Sequence, residues 1–352
     1  MVLLHLYGHM TDTLLRVLSN ADLDWMIAHG EHQPLTTGQS VLHPHRMPDR
    51  ISLVIDGSLG ESAATQGALD EAVLIDELGQ GELVGFSPLL DAPNLTAVKA
   101  LRSTLILSLP VAQVQAKLAE DVAFAAHFYH AIALQLADRL RRIFEHPDRV
   151  RFGGDRSGND VLTVFGELRD SDIDWLTSFG QIETIPAGRV LLQAGRPVES
   201  LTILLDGQLA MSAPQDTFNP LALCFLGLEH STRDQPIFST LSQGSMPGII
   251  SFLDFRPLPV TVRSLGEALV FALPRPTLAT KLQVDDSFAS RFYRIIAIQL
   301  IEQLQTVGMR LMEPGAEARL DDELDMDDLN QASEGAKKFG WMLAQLGVNG
   351  RG

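Results

Sequence analysis

The sequence has few of the features that define secreted, membrane-spanning or metal-binding proteins. Of its 352 residues only one, Cys224, is a cysteine, which excludes an intrachain disulfide framework. No apolar run reaches the ~18 residues that a membrane span needs. The N-terminus, MVLLHLYGHM, lacks the basic and cleavage regions of a signal peptide, and we expect residues 1–10 to be a leader extension. These absences favour a cytoplasmic protein.

Basic residues are also scarce. The chain has 27 Lys and Arg against 44 Asp and Glu, a formal net charge of −17. Because Lys and Arg carry most of the affinity for nucleic acids and anionic membranes, we expect neither to be a partner. The chain contains no G-x-S-x-G, H-E-x-x-H or Walker motif. We therefore predict no catalytic residues, no cofactor and no metal site.

The sequence does contain one pattern used twice. DLDW at 22–25 recurs as DIDW at 172–175, and LVIDG at 53–57 recurs as ILLDG at 203–207, each 150 positions later. LAEDVAFAAHFY at 118–129 recurs as LQVDDSFASRFY at 282–293, 164 positions later. The second copy is therefore longer, mainly through a segment that includes NPLALCFLGLEHSTRDQP. Such internal similarity indicates two copies of one structural unit.

Both copies predict the same order of elements. A short helix comes first, short strands follow between Gly, Pro and Asp turns, and a long helix closes each copy. The Asp-Gly pairs at 56–57 and 206–207 predict tight turns at strand ends. The polar, Gly-rich residues 146–160 form the expected linker, so the predicted domains are 11–145 and 161–312.

Each copy resembles a cyclic-nucleotide-binding domain of the catabolite-activator and kinase-regulatory-subunit type. The resemblance covers both predicted domains and follows the opening helix, G-x-x-[LV]-L at 38–42 and 188–192, the Asp-Gly turn and the closing helix. It implies an α+β fold with two β-rolls, or double-stranded jelly rolls, and flanking helices. It also implies a phosphate cassette in each copy, at 85–98 and 248–262.

The family's cassette reads approximately G-E-x-x-L-L-x-x-x-P-R-[ST]-A-x-V-R-A. Its glutamate binds the ribose hydroxyl and its arginine binds the cyclic phosphate. In this sequence the glutamate falls on Phe86 and Ile249, and the second-copy arginine falls on Leu258. The first-copy loop is one residue shorter, so its arginine falls on Asn94, or on Leu95 if the gap is placed differently. Both copies therefore lack the charged contacts to a cyclic nucleotide.

What is left of the cassettes indicates a retained fold with little capacity for a ligand. Gly85 and Gly248 begin the two loops, and Ser87 and Thr96 are the remaining neutral donors of the first copy. We expect the apolar cassette side chains to stay in the core, because burying each one stabilises the fold by ~1.5–3 kcal/mol. These residues are Leu89, Leu90 and Val98 in the first copy and Phe252, Leu253 and Val262 in the second.

The closing helices carry apolar stripes at three- and four-residue steps, which include Phe124 to Ile143 and Phe288 to Leu311. Three arrangements fit such stripes: internal pairing, self-association between chains, or packing on the chain's own β-rolls. The pair Asp285-Asp286 predicts a helix cap.

The C-terminal residues 313–352 combine an acidic segment, EARLDDELDMDD at 317–328, with a short amphipathic helix. That composition disfavours a DNA-binding domain. The apolar residues of the helix predict docking onto a protein partner or folding back onto its own domain. They are Phe339, Trp341, Met342, Leu343 and Leu346.

Two functions follow as hypotheses. The first is a non-catalytic regulatory or scaffold subunit, built from degenerate cyclic-nucleotide-binding folds, that acts through protein–protein contacts. The alternative is a small-molecule sensor whose first domain binds a cyclic nucleotide, a modified nucleotide or another small anion.

Overall fold

The computed structural model describes residues 12–63, 73–144, 164–212, 237–312 and 326–348. The predicted leader at 1–10, the linker at 146–160 and the inserted segment with Cys224 lie outside the described residues, as does the acidic part of the tail up to residue 325.

The described residues form two units, each of which combines one sequence copy with helix segments from elsewhere in the chain. The first unit contains the residues up to Arg139 and those from Ile296 to Met312. The second unit contains the residues from Leu140 to Ile295 and the C-terminal helix. Each unit therefore includes the end of the long helix that closes the other sequence copy.

The described part of the first unit has eight strands in two antiparallel sheets, with the order β1-β8-β3-β6 and β2-β7-β4-β5. The core between them includes Val54, Leu59, Val84 and Val98. The strands are β1 (Glu31–Leu35), β2 (Ser40–Leu42), β3 (Arg50–Asp56), β4 (Leu59–Ala63), β5 (Val73–Leu78), β6 (Leu83–Val84), β7 (Thr96–Ala100) and β8 (Thr104–Pro110).

The described part of the second unit repeats this arrangement, with sheet orders β11-β15-β9 and β10-β14-β12-β13 and a short helix, α6 (Ile249–Asp254). The predicted α+β fold with two β-rolls is confirmed. The strands are β9 (Gln181–Ile185), β10 (Val190–Leu192), β11 (Ser200–Asp206), β12 (Leu209–Ser212), β13 (Ile237–Leu241), β14 (Thr261–Ser264) and β15 (Ala268–Pro274).

The Asp-Gly turns lie where the sequence predicts them, at the ends of β3 and β11. Gly57 has φ +95° and Gly207 has φ +88°, a region that favours glycine. A Cβ atom on Gly57 would lie 2.6 Å from the carbonyl oxygen of Ser103, so the turn has no space for a side chain either.

Helices precede each β-roll. The first copy has α1 (Asp12–Val17) and α2 (Asn20–His29), and the second has a 3₁₀ turn (Val164–Glu167) and α5 (Asp170–Phe179). A capping box begins α2: Asp22 N–H donates to Ser19 Oγ, and Ser19 N–H donates to the Asp22 carboxylate.

The closing segment of each copy is broken into two helices, where the sequence predicts one. The first copy has α3 (Val111–Glu120) and α4 (Val122–Phe144), and the second has α7 (Arg275–Val284) and α8 (Asp286–Met312). Asp121 and Asp285 leave the helical conformation at the breaks, and their carboxylates accept the N–H groups of Phe124 and Phe288. The predicted capping role of Asp285 is confirmed.

The apolar stripe of α4, and that of α8 from Phe288 to Leu304, are buried in the folded chain. Phe124, Phe128, Ile132 and Leu136 on α4 are each at most 1% exposed. This stripe therefore offers no exposed apolar surface to a second copy of the chain, and self-association through other faces of these helices stays a prediction.

The C-terminal helix α9 (Met326–Gln345) folds back within the second unit. The Phe339 ring packs edge-on against Phe165, with 5.0 Å between ring centroids, and Lys338 Nζ donates to the carbonyl oxygen of Gly166 at 2.9 Å. None of the helices in the described part of the chain is both long enough and apolar enough to cross a membrane.

Candidate functional site

The first cassette starts at a glycine that no other residue can replace without strain. Gly85 follows β6 with φ +81°, and a Cβ atom there would lie 2.4 Å from the carbonyl oxygen of Arg50. A single 3₁₀ turn (Ser87–Leu89) follows. Phe86, which replaces the family's glutamate, is 4% exposed. The predicted burial of Leu89, Leu90 and Val98 is confirmed, as it is for their counterparts Phe252, Leu253 and Val262.

Asn94 and Leu95 are the two candidates that the sequence aligns with the arginine of a cyclic-nucleotide cassette. The carbonyl oxygen of Asn94 accepts the His45 N–H at 2.7 Å, and that of Leu258 accepts the Gly195 N–H at 2.8 Å. Since His45 and Gly195 are 150 positions apart, these equivalent bonds align Asn94, rather than Leu95, with Leu258.

The Asn94 side chain faces the loop's own backbone. Its Nδ2 donates to the carbonyl oxygens of His43 at 2.7 Å and Thr96 at 3.2 Å, with a longer contact to Arg46 at 3.4 Å. Since an amide NH₂ has two donor hydrogens, these bonds use its donor capacity. Asn94 therefore stabilises the loop and leaves no N–H group for a phosphate.

A cavity of about 70 Å³ lies in the first unit, between the cassette, the sheet that contains β4, and the helices α4 and α8. All six first-copy residues predicted as ligand-binding line it: Gly85, Phe86, Ser87, Asn94, Leu95 and Thr96. Leu42, Ile75 and Val98 add apolar wall on the sheet side, and Leu136 and Leu304 add it on the helix side. The cavity thus combines a mainly apolar wall with a few polar groups, as small-molecule sites do.

A buried ion network lies at one side of this cavity. Arg139 on α4 pairs through Nη2 with the Glu61 carboxylate on β4, and its Nε lies 3.4 Å from Asp76 Oδ2 on β5. Thr96 Oγ1 donates to Glu61 Oε1 at 2.6 Å. The Arg139 side chain is 5% exposed and that of Glu61 is 11% exposed. Among the described contacts, the network sets two carboxylates against one guanidinium, a formal excess of negative charge.

No prediction from the sequence includes this network, although the sequence contains a signal for it. Arg139 follows Leu136 by three positions on the apolar stripe of α4, and Glu61 interrupts the strand that starts at Leu59. Ionised residues at positions that should face a core are buried only when they are paired. The pairing joins residues 78 positions apart, which neither local pattern specifies.

Ser87 supplies a second polar group to the cavity. The residue is 7% exposed, and its Oγ is buried without a hydrogen-bond partner among the described residues. Most buried hydroxyl groups have a partner, so this one is available to a molecule in the cavity.

The second cassette has the same backbone but apolar side chains. Gly248 has φ +79°, Ile249 is 3% exposed and Leu258 is 2% exposed. The equivalent strand pairs Glu61–Val98 and Met211–Val262 place Met211 at the position of Glu61. The other counterparts of the polar cavity residues are Ile250 for Ser87, Val260 for Thr96 and Gln303 for Arg139.

A side chain of the protein itself binds the second cassette. Arg141, at the end of α4, pairs with both carboxylate oxygens of Asp254 at 2.8 and 2.9 Å. It also donates to the Pro257 carbonyl oxygen at 2.5 Å and to Ser251 Oγ at 3.1 Å. These four bonds connect α6 to the loop that follows it.

Arg275 also contacts α6. Its Nη2 donates to the Ser251 carbonyl oxygen at 2.9 Å, and its guanidinium lies over the rings of Phe252 and Phe255, 4.8 and 4.3 Å from their centroids. Burial lowers the pKa of the Arg275 guanidinium, and the nearby Asp254 and Glu199 oppose that shift.

The corresponding contact in the first unit is weaker. Gln305 stands 164 positions after Arg141, and its Nε2 donates to the Pro93 carbonyl oxygen at 2.7 Å. A neutral amide thus makes one bond where the arginine makes four.

The histidines of α4 are a pair with different surroundings. His127 Nδ1 lies 2.8 Å from Asp22 Oδ2, and in the second copy Arg291 binds the equivalent Asp172 through two nitrogens at 2.7 and 2.8 Å. Burial, and secondarily the charge of His127, lowers the pKa of His130 to about 4. His130 is therefore neutral at physiological pH.

The residues predicted to bind a partner lie on α9 in two environments. Phe339 is 2% exposed and Met342 is fully buried within the second unit, so folding back covers these two. Trp341, Leu343 and Leu346 are half-buried, and a partner contact there stays a prediction. Among the residues that the structure describes, no group of three or more His, Cys, Asp or Glu side chains could hold a metal ion.

The two units share the β-roll and flanking helices that the resemblance in the sequence implies. No protein-family profile and no curated protein matches the chain. A structure of the regulatory domain of Toxoplasma gondii PKA with cAMP is similar at 14% identity and TM-score 0.30, covering 84% of this chain and 92% of that one. The regulatory subunit of a cAMP-independent protein kinase A from Trypanosoma brucei is 13% identical with TM-score 0.32, covering 86% and 91%. The Thermus thermophilus catabolite activator protein is 22% identical with TM-score 0.32, covering 45% and 70%.

Proposed function

We propose that this protein is a non-catalytic, cytoplasmic regulatory or scaffold subunit that acts through protein–protein contacts, and that neither cassette binds a cyclic nucleotide. The observation that carries the proposal is that neither residue aligned with the phosphate-binding arginine offers a free hydrogen-bond donor to a phosphate. Asn94 uses its amide hydrogens on backbone carbonyl groups, and Leu258 is a buried apolar side chain.

The energetic consequence is a large loss of affinity. A hydrogen bond to a charged group contributes ~1.5–3 kcal/mol, so losing both the phosphate and the ribose contact costs about 3–6 kcal/mol. Since ~1.4 kcal/mol corresponds to tenfold in affinity, a site weakens by about 10²–10⁴-fold, for example from ~1 μM to ~0.1–10 mM. Phe86 and Ile249, at the ribose positions, restore neither bond.

Titration calorimetry with cyclic AMP, cyclic GMP and cyclic dinucleotides tests this proposal. We expect no binding in the micromolar range, and micromolar heat from any of them would overturn it. The double variant Phe86→Glu, Asn94→Arg should recover part of the affinity, because Gly85 keeps the loop geometry. The matched variant Ile249→Glu, Leu258→Arg should recover less, because apolar Ile250 and Val260 surround the second cassette.

Protein contacts are tested on the face of α9 that is only partly covered by the chain itself. Trp341→Ala should reduce recovery of a protein that co-purifies from the native source, because half-buried aromatic side chains are typical interface anchors. Lys337→Ala, at an exposed position of the same helix, is the control. Equal recovery with both variants would assign the contact to another surface.

A second candidate function is small-molecule sensing by the first unit. It is supported by the cavity beside Glu61, Ser87 and Arg139, because the second copy has Met211, Ile250 and Gln303 at those positions. A compound that raises the unfolding temperature of the native protein, but not of Ser87→Val, would support this function. A metabolite panel without such a compound would contradict it.

A further inference from the structure

The charges around the first cavity have the wrong sign for an anion. Arg139 is the cation that lines the cavity, and the carboxylates of Glu61 and Asp76 already pair with it. An anionic ligand would approach a buried group with an excess negative charge, where Coulomb repulsion is much stronger than in water. The constellation therefore disfavours phosphates and carboxylates.

The same constellation favours a hydrogen-bond donor. Glu61 lines the cavity, and a carboxylate accepts about four hydrogen bonds, of which Thr96 and Arg139 supply part. Ser87 Oγ, buried and without a partner among the described residues, can accept from or donate to the same molecule. Glu61 and Ser87 thus supply two possible acceptors for ligand N–H groups in a mainly apolar wall.

The cavity limits the size of the ligand. Its volume of about 70 Å³ is roughly half that of the ~150 Å³ cavity known to hold benzene. This volume encloses a molecule of amide or amidine size but not a whole purine nucleotide.

We propose that this cavity binds a small molecule that carries an N–H group and no negative charge, with Glu61 and Ser87 as its hydrogen-bonding partners. The inference rests on the second candidate function, sensing by the first unit, and names its ligand class. Arg139 acts here as a positioning residue, because it holds the Glu61 carboxylate at the cavity wall.

Three compounds of one planar shape and different charge test the ligand class: acetamide, acetamidinium and acetate. Each is titrated into the full-length protein while the backbone amide signals of Gly85, Ser87 and Thr96 are followed by NMR. Acetamide or acetamidinium should shift these signals with a dissociation constant at least about tenfold below that of acetate. Equal or tighter binding of acetate, or no shift with any of the three, would overturn the proposal.

Substitution of the binding groups gives a second readout. Ser87→Ala should weaken acetamide binding severalfold, whereas Ser52→Ala should not, because Ser52 is a buried serine of the same β-roll that does not line the cavity. Equal weakening by both variants would assign the effect to the fold and contradict the proposed contact.

The role of the charges is tested by neutralising the two carboxylates, which changes the net charge of the network from negative to positive. In Glu61→Gln, Asp76→Asn, the guanidinium of Arg139 loses both carboxylates, so inorganic phosphate should raise the unfolding temperature of this variant and not that of the native protein. Adding Arg139→Gln should abolish the increase. Phosphate that stabilises the native protein equally would contradict charge selection. The cyclic-nucleotide titrations are independent of these results, so each proposal can fail alone.

Discussion

In the first unit the cassette borders a cavity with Glu61, Ser87 and Arg139 in its wall, whereas the second unit has Met211, Ile250 and Gln303 at the equivalent positions. Both cassettes keep a glycine with positive φ and a buried apolar core. The backbone of this fold thus persists under two different sets of side chains. The comparison indicates that the shape of a binding loop and its chemistry change separately.

The largest expected effect concerns the arginine that binds the second cassette. Arg141→Ala removes four hydrogen bonds, but the Asp254 carboxylate, 9% exposed, keeps its ion pair with Arg256 at 2.8 Å. The loss should therefore be about 3 kcal/mol, at the low end of the cost of leaving a buried charge unpaired. Gln305→Ala, the equivalent change in the first unit, removes a single neutral bond and should cost about 1 kcal/mol or less. Urea denaturation measures the free energy of unfolding of both variants. Equal losses would show that the Arg141 and Gln305 contacts contribute equally to stability.

The next largest effect is a difference in stability between the alanine variants of the two cassette glycines, Gly85 and Gly248. Alanine at positive φ costs about 1–2 kcal/mol at either position. Gly85→Ala also directs its Cβ at the backbone oxygen of Arg50, whereas at Gly248 the nearest atom belongs to the flexible Leu192 side chain. We expect Gly85→Ala to be more destabilising by about 1–3 kcal/mol.

Gly38→Ala is the control for this comparison. Gly38 has φ +83°, and a Cβ atom there would have no other atom within 4 Å, so the variant reports the backbone cost alone. If Gly38→Ala, Gly85→Ala and Gly248→Ala unfold at the same urea concentration, the close approach of a Cβ atom at position 85 to the Arg50 oxygen does not affect stability.

A smaller effect of opposite sign is expected at Ser87. Replacing a buried hydroxyl that has no partner removes a desolvated group, so Ser87→Ala should stabilise the ligand-free protein by about 1 kcal/mol. Ser52→Ala, which removes a long contact to Ser108 at 3.5 Å, should not stabilise it. The unfolding temperatures of the two variants test this prediction. A lower unfolding temperature for Ser87→Ala would mean that the Ser87 hydroxyl has a hydrogen-bond partner in solution.

The smallest effect should be the same in both units. Hydrogen bonds from Lys117 and Lys281, followed by those from Phe124 N–H and Phe288 N–H, lower the pKa values of Asp121 and Asp285. A lowered pKa in the folded state means that the stabilisation is present above the pKa of the unfolded chain. It is lost as the pH falls through the folded-state value.

In Asp121→Asn and Asp285→Asn, the free energy of unfolding should therefore fall less steeply as the pH decreases below about pH 4. Asparagine is itself a good cap, so the variants should lose about 1 kcal/mol or less at neutral pH. Urea denaturation as a function of pH measures the slopes. A markedly larger change for one aspartate would show that the two helix breaks are not equivalent.

Local patterns were sufficient to predict the repeats, the Asp-Gly turns, the Asp285 cap and the buried residues of both cassettes. Each depends on residues a few positions apart, or on one side chain facing a core. The aligned partner of Leu258 was ambiguous in the sequence, because a gap can be placed on either side of Asn94. The equivalent backbone bonds to His45 and Gly195 settled it.

The remaining features join distant parts of the chain. Arg139 pairs with Glu61, Arg141 binds Asp254, and α9 folds back onto Phe165, over separations of 78, 113 and 174 residues. In the sequence, Arg139 and Glu61 stand at positions that should face a core, but nothing local identifies their partners. Only the packing of their elements shows that they are buried and where their partners lie.

By itself, the sequence determined two β-rolls with flanking helices, since hydrophobic periodicity and residue identity are local properties, and the resemblance predicted cassettes without the charged residues of a cyclic-nucleotide site. The tertiary structure decided that the first cassette keeps a polar cavity with an excess negative charge, while the second is bound by Arg141. The physical reason is that the free energy of a charged side chain depends on whether it is buried and paired, and burial is a property of the folded chain.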